Sequence, residues 1–139
     1  MTVDYLRSVL ADESKAYGFT IAFWGSGTLL ITQFGLPGIE NVLLYALGAI
    51  TGFGLISLLA FRSVLKHVKL MRPNFLVASM VHYLAALTPI LVTYSLLGLG
   101  ESYAFFLSGA SVSVVYNLLI LAEELFFEEI RAIEEKLAG

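Results

Sequence analysis

Four long apolar stretches alternate with short polar or glycine-rich connections along the chain. They cover residues 16–34, 39–61, 75–97 and 102–122. Each has about the 20 residues that an α-helix needs to cross a hydrocarbon core roughly 30 Å thick. The signal Gly35-Leu36-Pro37-Gly38 predicts a tight turn after the first stretch, and Gly98-Leu99-Gly100 predicts another after the third. The pattern predicts an all-α integral membrane protein with four transmembrane helices.

The two ends of the chain differ from these stretches. Residues 1–15 are amphipathic and leave two interpretations, an anchor lying on the membrane surface or a polar leader that lengthens the first span. Residues 123–139 are acidic, with a helical apolar stripe at Phe126, Ile130, Ile133 and Leu137. No helix breaker separates this tail from residues 102–122, so we expect one long helix there. The predicted organisation is a leader 1–15, a transmembrane domain 16–122 and a helical tail 123–139.

Composition agrees with a membrane protein and removes several classes of function. Hydrophobic residues make up 58% of the 139 residues and charged residues 14%, against about 25% charged in soluble domains. The chain has 0 cysteines, which excludes disulfides, thiol catalysis and thiolate metal sites. The net charge of −3 gives no sign of a nucleic-acid partner. No cofactor motif and no nucleophile–base set is visible, so we predict a protein that is not an enzyme.

The positive charges predict an orientation. All eight Lys and Arg residues fall before the first stretch, in residues 62–73 between the second and third, or after the fourth. The two opposite connections carry only Glu40 and Glu101. By the positive-inside rule, both termini and the basic connection face the cytoplasm of a multi-pass cell-membrane protein.

The two halves of the chain resemble each other at one constant offset, the one that takes Glu40 to Glu101. The other matching pairs are Leu30 with Leu91, Thr32 with Thr93, Leu36 with Leu97, Gly48 with Gly109, and Ala49 with Ala110. Chance remains one explanation, because apolar sequences use few residue types. We favour a duplication, which predicts two parallel two-helix repeats related by an axis normal to the membrane.

Small residues recur at helical spacing and predict close helix packing. Gly18, Ala22 and Ser26 form one stripe, Gly48 and Gly52 form a Gly-xxx-Gly pair, and Gly109 begins another small-residue region. Such faces let helix backbones approach closely, because lipid offers no hydrophobic drive for helices to associate. We expect packing inside the bundle and assembly into a homo-oligomer or a larger membrane complex.

One ionisable residue falls within a predicted span. His82 lies in the third stretch, with Asn117 at a matching depth in the fourth and Tyr83 and Tyr116 beside them. One interpretation is a polar layer that lines a pathway in an oligomeric channel or small-solute transporter. The other is an interhelical hydrogen bond that holds the two helices together, which we favour because His82 lacks a carboxylate partner nearby in sequence.

The acidic tail offers the other candidate site. Its six glutamates outweigh Arg131 and Lys136, giving a net charge of −4. A solvated face is the simpler interpretation. The alternative is a docking helix for a basic partner or another subunit, built from Glu124, Glu128, Ile130, Ile133 and Leu137. The function predicted from the sequence is a non-enzymatic structural or accessory membrane subunit, with the channel or transporter as the alternative.

Overall fold

The chain forms α-helices joined by short connections. The computed structural model describes residues 2–61 and 75–139, with some side chains, those of residues 75–82 among them, outside the described part. Four helices lie in these ranges: α1 Thr2–Phe34, α2 Ile39–Phe61, α3 Phe75–Leu96 and α4 Glu101–Ala138. The described residues contain no strand, so the all-α prediction is confirmed. The basic connection 62–73 lies outside the described residues.

Contacts between the helices define two ends of the bundle. At the turn end, next to residues 35–38 and 97–100, the Asn41 amide donates to the Glu101 carboxylate at 2.8 Å. At the opposite, terminal end, Lys15 of α1 pairs with Glu124 of α4 at 3.3 Å. Helices α2 and α4 therefore run in the same direction, and α1 runs antiparallel to α4. Glycine at position 35 adopts φ +83°, the left-handed conformation that commonly ends a helix.

Two of the described helices are long and apolar enough to cross a membrane. They are α2, over Ile39–Ala60, and α4, over Glu101–Ala138. The described apolar part of α3 is shorter, at Tyr83–Leu96. Helix α1 does not reach the same hydropathy, because Ser and Thr residues and Gln33 interrupt its second half. The prediction of membrane-crossing helices is thus supported for two of the four.

The closest contact in the bundle is the crossing of α2 and α4. A Cβ atom on Gly48 would meet the carbonyl of Phe106 and the amide nitrogen of Ala110. A Cβ atom on Gly109 would meet the carbonyl of Tyr45 and the amide nitrogen of Ala49. Glycine is required at both positions because the obstacle is backbone, which cannot rotate aside as a side chain can.

The contacts across this crossing repeat at the offset that relates the two halves of the sequence. Tyr45, Gly48 and Ala49 on α2 correspond in sequence to Phe106, Gly109 and Ala110 on α4, and each set meets the other's backbone. One turn further along, Gly52 packs against the Ala110 backbone, while its counterpart Ser113 donates a hydrogen bond to the Ala49 carbonyl at 2.7 Å. The α2–α4 contact therefore has a two-fold character that the matching residues alone do not require.

Helix α1 packs closely against α3 and α4. A Cβ atom on Gly25 would meet the Ile90 side chain of α3. The Ser26 hydroxyl lies 3.5 Å from the Pro89 carbonyl, at the limit of a hydrogen bond. Two clusters of buried apolar side chains hold the bundle together. The first joins α1, α3 and α4 through Ala22, Ala85, Val112 and Tyr116. The second joins α1, α2 and α4 through Leu30, Tyr45, Ala104 and Phe105.

Helices α1 and α4 continue without a break into the terminal segments. Helix α1 has 33 residues and α4 has 38, so they are about 50 Å and 57 Å long at 1.5 Å per residue. Residues 2–15 therefore continue α1 as one helix, and both interpretations of the leader stay predictions. Residues 123–138 likewise continue α4. We call these two antiparallel segments the terminal extensions.

Candidate functional site

Three of the four residues of the predicted polar layer have described side chains, and no hydrogen bond joins any two of these three. The Asn117 amide donates to the carbonyl of Ser113, one turn earlier in its own helix, at 2.7 Å. Tyr83 is 62% exposed and points away from the bundle. His82 lies within α3, but its side chain is outside the described part. Of the four residues, Tyr116 alone is seen in the core, and a shared hydrogen-bonded layer stays a prediction.

Tyr116 joins the terminal ends of α1 and α4. Its ring packs edge-to-face on Phe19 with centroids 5.6 Å apart, and its hydroxyl donates to the Lys15 carbonyl. The ring also lies against Gly18, where a Cβ atom would meet the Tyr116 hydroxyl. Tyr116 therefore forms an interhelical hydrogen bond, between α4 and α1. The sequence analysis predicted such a bond for His82 and Asn117 instead.

A group of charged residues marks the point where α4 leaves its apolar stretch. Glu124 is partly buried and pairs with Lys15. Glu123 has both carboxyl oxygens buried beside α3. The sequence pattern did not single out Glu123. A Glu-Glu pair at the start of an acidic tail has the same pattern as exposed, solvated glutamates. Nor does the pairing of Lys15 with Glu124 leave any signal in the sequence, since the two residues lie near opposite ends of the chain.

Burial shifts the ionisation of Glu123. The pKa of Glu123 is raised from 4.5 to about 7 as the net result of three causes. Loss of hydration is the largest and raises the pKa, a backbone hydrogen bond at Ala85 lowers it, and the adjacent charge of Glu124 raises it. Glu123 therefore changes charge close to neutral pH. No such shift follows from its position in the sequence.

The residues predicted for partner docking fall into two groups. Ile130, Ile133 and Leu137 are exposed, at 37%, 57% and 83% of their surfaces. Glu124 is engaged with α1, and Glu128 is half-buried. The exposed apolar stripe is therefore available to a partner, whereas Glu124 stabilises the chain's own terminal end.

The six predicted packing residues are all buried within one chain. They are Gly18, Ala22, Ser26, Gly48, Gly52 and Gly109. The exposed side chains of α2 and of the described part of α3 are mostly large and apolar. The small-residue faces are thus used inside the bundle, and their placement offers no support for assembly of several chains through these faces.

The described residues contain no group of three or more His, Cys, Asp or Glu side chains that could hold a metal ion. The sequence matches no protein-family model, and no curated protein and no solved structure is detectably similar to the chain.

Proposed function

We propose that this chain is a non-enzymatic accessory subunit of a membrane complex, which binds its partner through the terminal extensions. The observation that carries the proposal is the exposure of apolar stripes on both extensions. The small-residue faces are buried inside the bundle and are therefore not available to a partner. Val3, Leu6 and Leu10 on α1 are 59%, 55% and 46% exposed. With Ile133 and Leu137 on α4, they form apolar surface of the kind that marks interaction sites.

The charge of the extensions specifies the chemistry of the partner. Residues 2–15 and 123–139 together hold nine acidic and four basic residues, a net charge of −5. Glu129, Glu134 and Glu135 are exposed beside the apolar stripe of α4. An amphipathic helix with basic flanks satisfies both features, because its apolar face covers the stripe while its cations meet the glutamates. A second copy of the acidic extension would instead bring like charges together.

The proposed membrane placement has four spans, with both termini in the cytoplasm. Its support is the length and hydropathy of α2 and α4, together with the confinement of all eight cations to the terminal end of the bundle or to the basic connection. The terminal extensions then project about 20 to 25 Å beyond the membrane, given 1.5 Å per helical residue. The repeated contacts of the α2–α4 crossing support the two hairpins as parallel repeats.

The absence of cysteine allows a direct test of this placement. We expect a membrane-impermeant maleimide to label Leu36→Cys in intact cells but to label Leu137→Cys only after the cells are opened. Both positions are well exposed, at 91% and 83%, so a difference reports the side of the membrane rather than burial. Equal labelling of the two variants in intact cells would contradict the proposed orientation.

The docking surface is tested by site-specific photocrosslinking in native membranes. A photoreactive amino acid at Ile133 is expected to give one discrete adduct, because this position lies in the exposed apolar stripe. The matched control is Glu135, which is exposed and two residues away, on roughly the opposite side of α4. The protein captured in the adduct should carry a basic amphipathic helix. When the photoreactive amino acid is placed at another position of the stripe, Ile133→Glu should abolish the adduct. No adduct at Ile133, or the same products at both positions, would overturn the accessory-subunit proposal.

A further inference from the structure

Helices α1 and α2 diverge, although they are consecutive and joined by a short turn. In the described residues, no Cα atom of α1 lies within 8 Å of one in α2, whereas α3 and α4 do approach within this distance. Helix α1 instead leans towards α3 and α4, where Gly18 and Gly25 give it room against Tyr116 and Ile90. The first hairpin is therefore open where the second is closed.

Tyr45 of α2 bridges the opening to α1. Its ring stacks on Phe23 with centroids 4.5 Å apart, and its hydroxyl donates to the Phe23 carbonyl. The Tyr45 ring also lies beside Gly27, where an added Cβ atom would make an ordinary van der Waals contact with the ring. On the terminal side of Tyr45, the described residues leave part of the space between α1 and α2 unfilled.

This space is a cavity of about 310 Å³. We call it the α1–α2 groove, and its lining residues are Phe19, Phe23, Ala49, Ile50, Phe53 and Ser113. The single polar side chain among them, Ser113, already donates its hydroxyl to the Ala49 carbonyl at 2.7 Å. The groove therefore offers apolar contacts and has no side-chain donor left for a polar ligand.

The groove opens sideways along α2. Ile50 and Phe53 line it and are also 67% and 60% exposed, so the lining is continuous with the outer face of the helix. Helix α2 is one of the two helices long and apolar enough to cross a membrane. In the proposed placement, lipid hydrocarbon covers this face of α2. The groove is a depression in that face, which lipid chains can enter.

We propose that the α1–α2 groove binds one acyl chain of a bilayer phospholipid. A single chain suits a narrow apolar space at the low end of the roughly 300–1,000 Å³ range of ligand pockets. A helix of a second copy, about 10 Å across with its side chains, suits a space of this volume less well. The outer face of α2 also presents large residues such as Leu43 and Leu47, which prevent close helix approach.

The test uses tryptophan fluorescence and phospholipids with brominated acyl chains, since bromine quenches a tryptophan that it touches. Trp24 is the one tryptophan of the chain and is replaced by phenylalanine. The groove reporter is Phe53→Trp. The control reporter is Leu55→Trp, which is two residues away and 55% exposed but does not line the groove. Each variant is held in micelles of a non-quenching detergent, to which brominated phosphatidylcholine is added in increasing mole fraction.

We expect half-quenching of the Phe53→Trp reporter at a brominated-lipid mole fraction about three- to tenfold lower than for the control, because the groove binds the phospholipid chain more tightly than the detergent, whereas the control reporter samples the average composition of the micelle. Equal curves, or earlier quenching of the control, would overturn the groove as a site while leaving the membrane placement intact. The inference rests on that placement, and its failure has a different signature. Quenching of neither reporter would show that α2 does not face hydrocarbon, and would overturn both proposals.

Discussion

Gly48→Ala and Gly109→Ala are each expected to destabilise the bundle by about 1–3 kcal/mol, the range for overpacked interiors. The added methyl group would meet a backbone carbonyl of the facing helix, at Phe106 for Gly48 and at Tyr45 for Gly109. Relief requires α2 and α4 to move apart along their whole crossing, which weakens the dispersion contacts between the two helices. The measurement is the free energy of unfolding in mixed micelles, as the mole fraction of sodium dodecyl sulfate rises.

Gly54→Ala provides a matched control on the same helix. Nothing lies within 4 Å of its missing Cβ, so the methyl group meets no obstacle. The substitution should be neutral or stabilising, because glycine inside a helix costs up to about 1 kcal/mol relative to alanine. Damage at Gly54 equal to that at Gly48 would show that the loss of stability does not come from the α2–α4 crossing.

The two-fold character of the crossing also predicts how the two substitutions combine. Gly48 and Gly109 occupy corresponding positions in one contact. Once the first methyl group has separated the helices, the second costs less, so the double variant should lose less stability than the sum of the single variants. Full additivity would mean that the two glycines act in independent contacts.

Glu123→Gln is expected to remove a pH dependence of stability centred just below neutral pH. Burial raises the pKa of Glu123 from 4.5 to about 7, so between these values the folded chain binds more protons than the unfolded chain. Stability contributed by this group is therefore present below about pH 4.5 and is lost as the pH rises to about 7. The stability difference between Glu123→Gln and the natural chain should shift in favour of the variant from pH 5 to pH 8.

Comparison of the two chains at each pH isolates Glu123, because other titrating groups contribute equally to both. Glu135→Gln is the control, since Glu135 lies on the same helix but is exposed. Its difference from the natural chain should stay constant across the same range. A constant difference for Glu123→Gln as well would mean that water reaches this carboxylate in solution.

The amino-acid sequence by itself determined the helices. Apolar runs of about 20 residues, bounded by Gly-rich turns, place α2 and the start of α4 within one residue of their observed bounds. They do so because a helix satisfies its own backbone hydrogen bonds and needs no information from distant residues. The continuation of α4 into the tail followed for the same reason, from the absence of a breaker. The constant offset between the two halves also pointed to the residues that meet in the α2–α4 crossing.

Only the tertiary structure decided which faces meet and what that does to individual groups. A small-residue stripe predicts that a helix face can approach another helix closely, but it does not specify which helix. Here all six predicted packing residues are buried within one chain. Tyr116 took an interhelical role through the Lys15 carbonyl, and Glu123 became buried beside α3. The groove arises because α1 leans away from α2. Each outcome depends on the relative tilt of helices far apart in sequence, which periodicity does not encode.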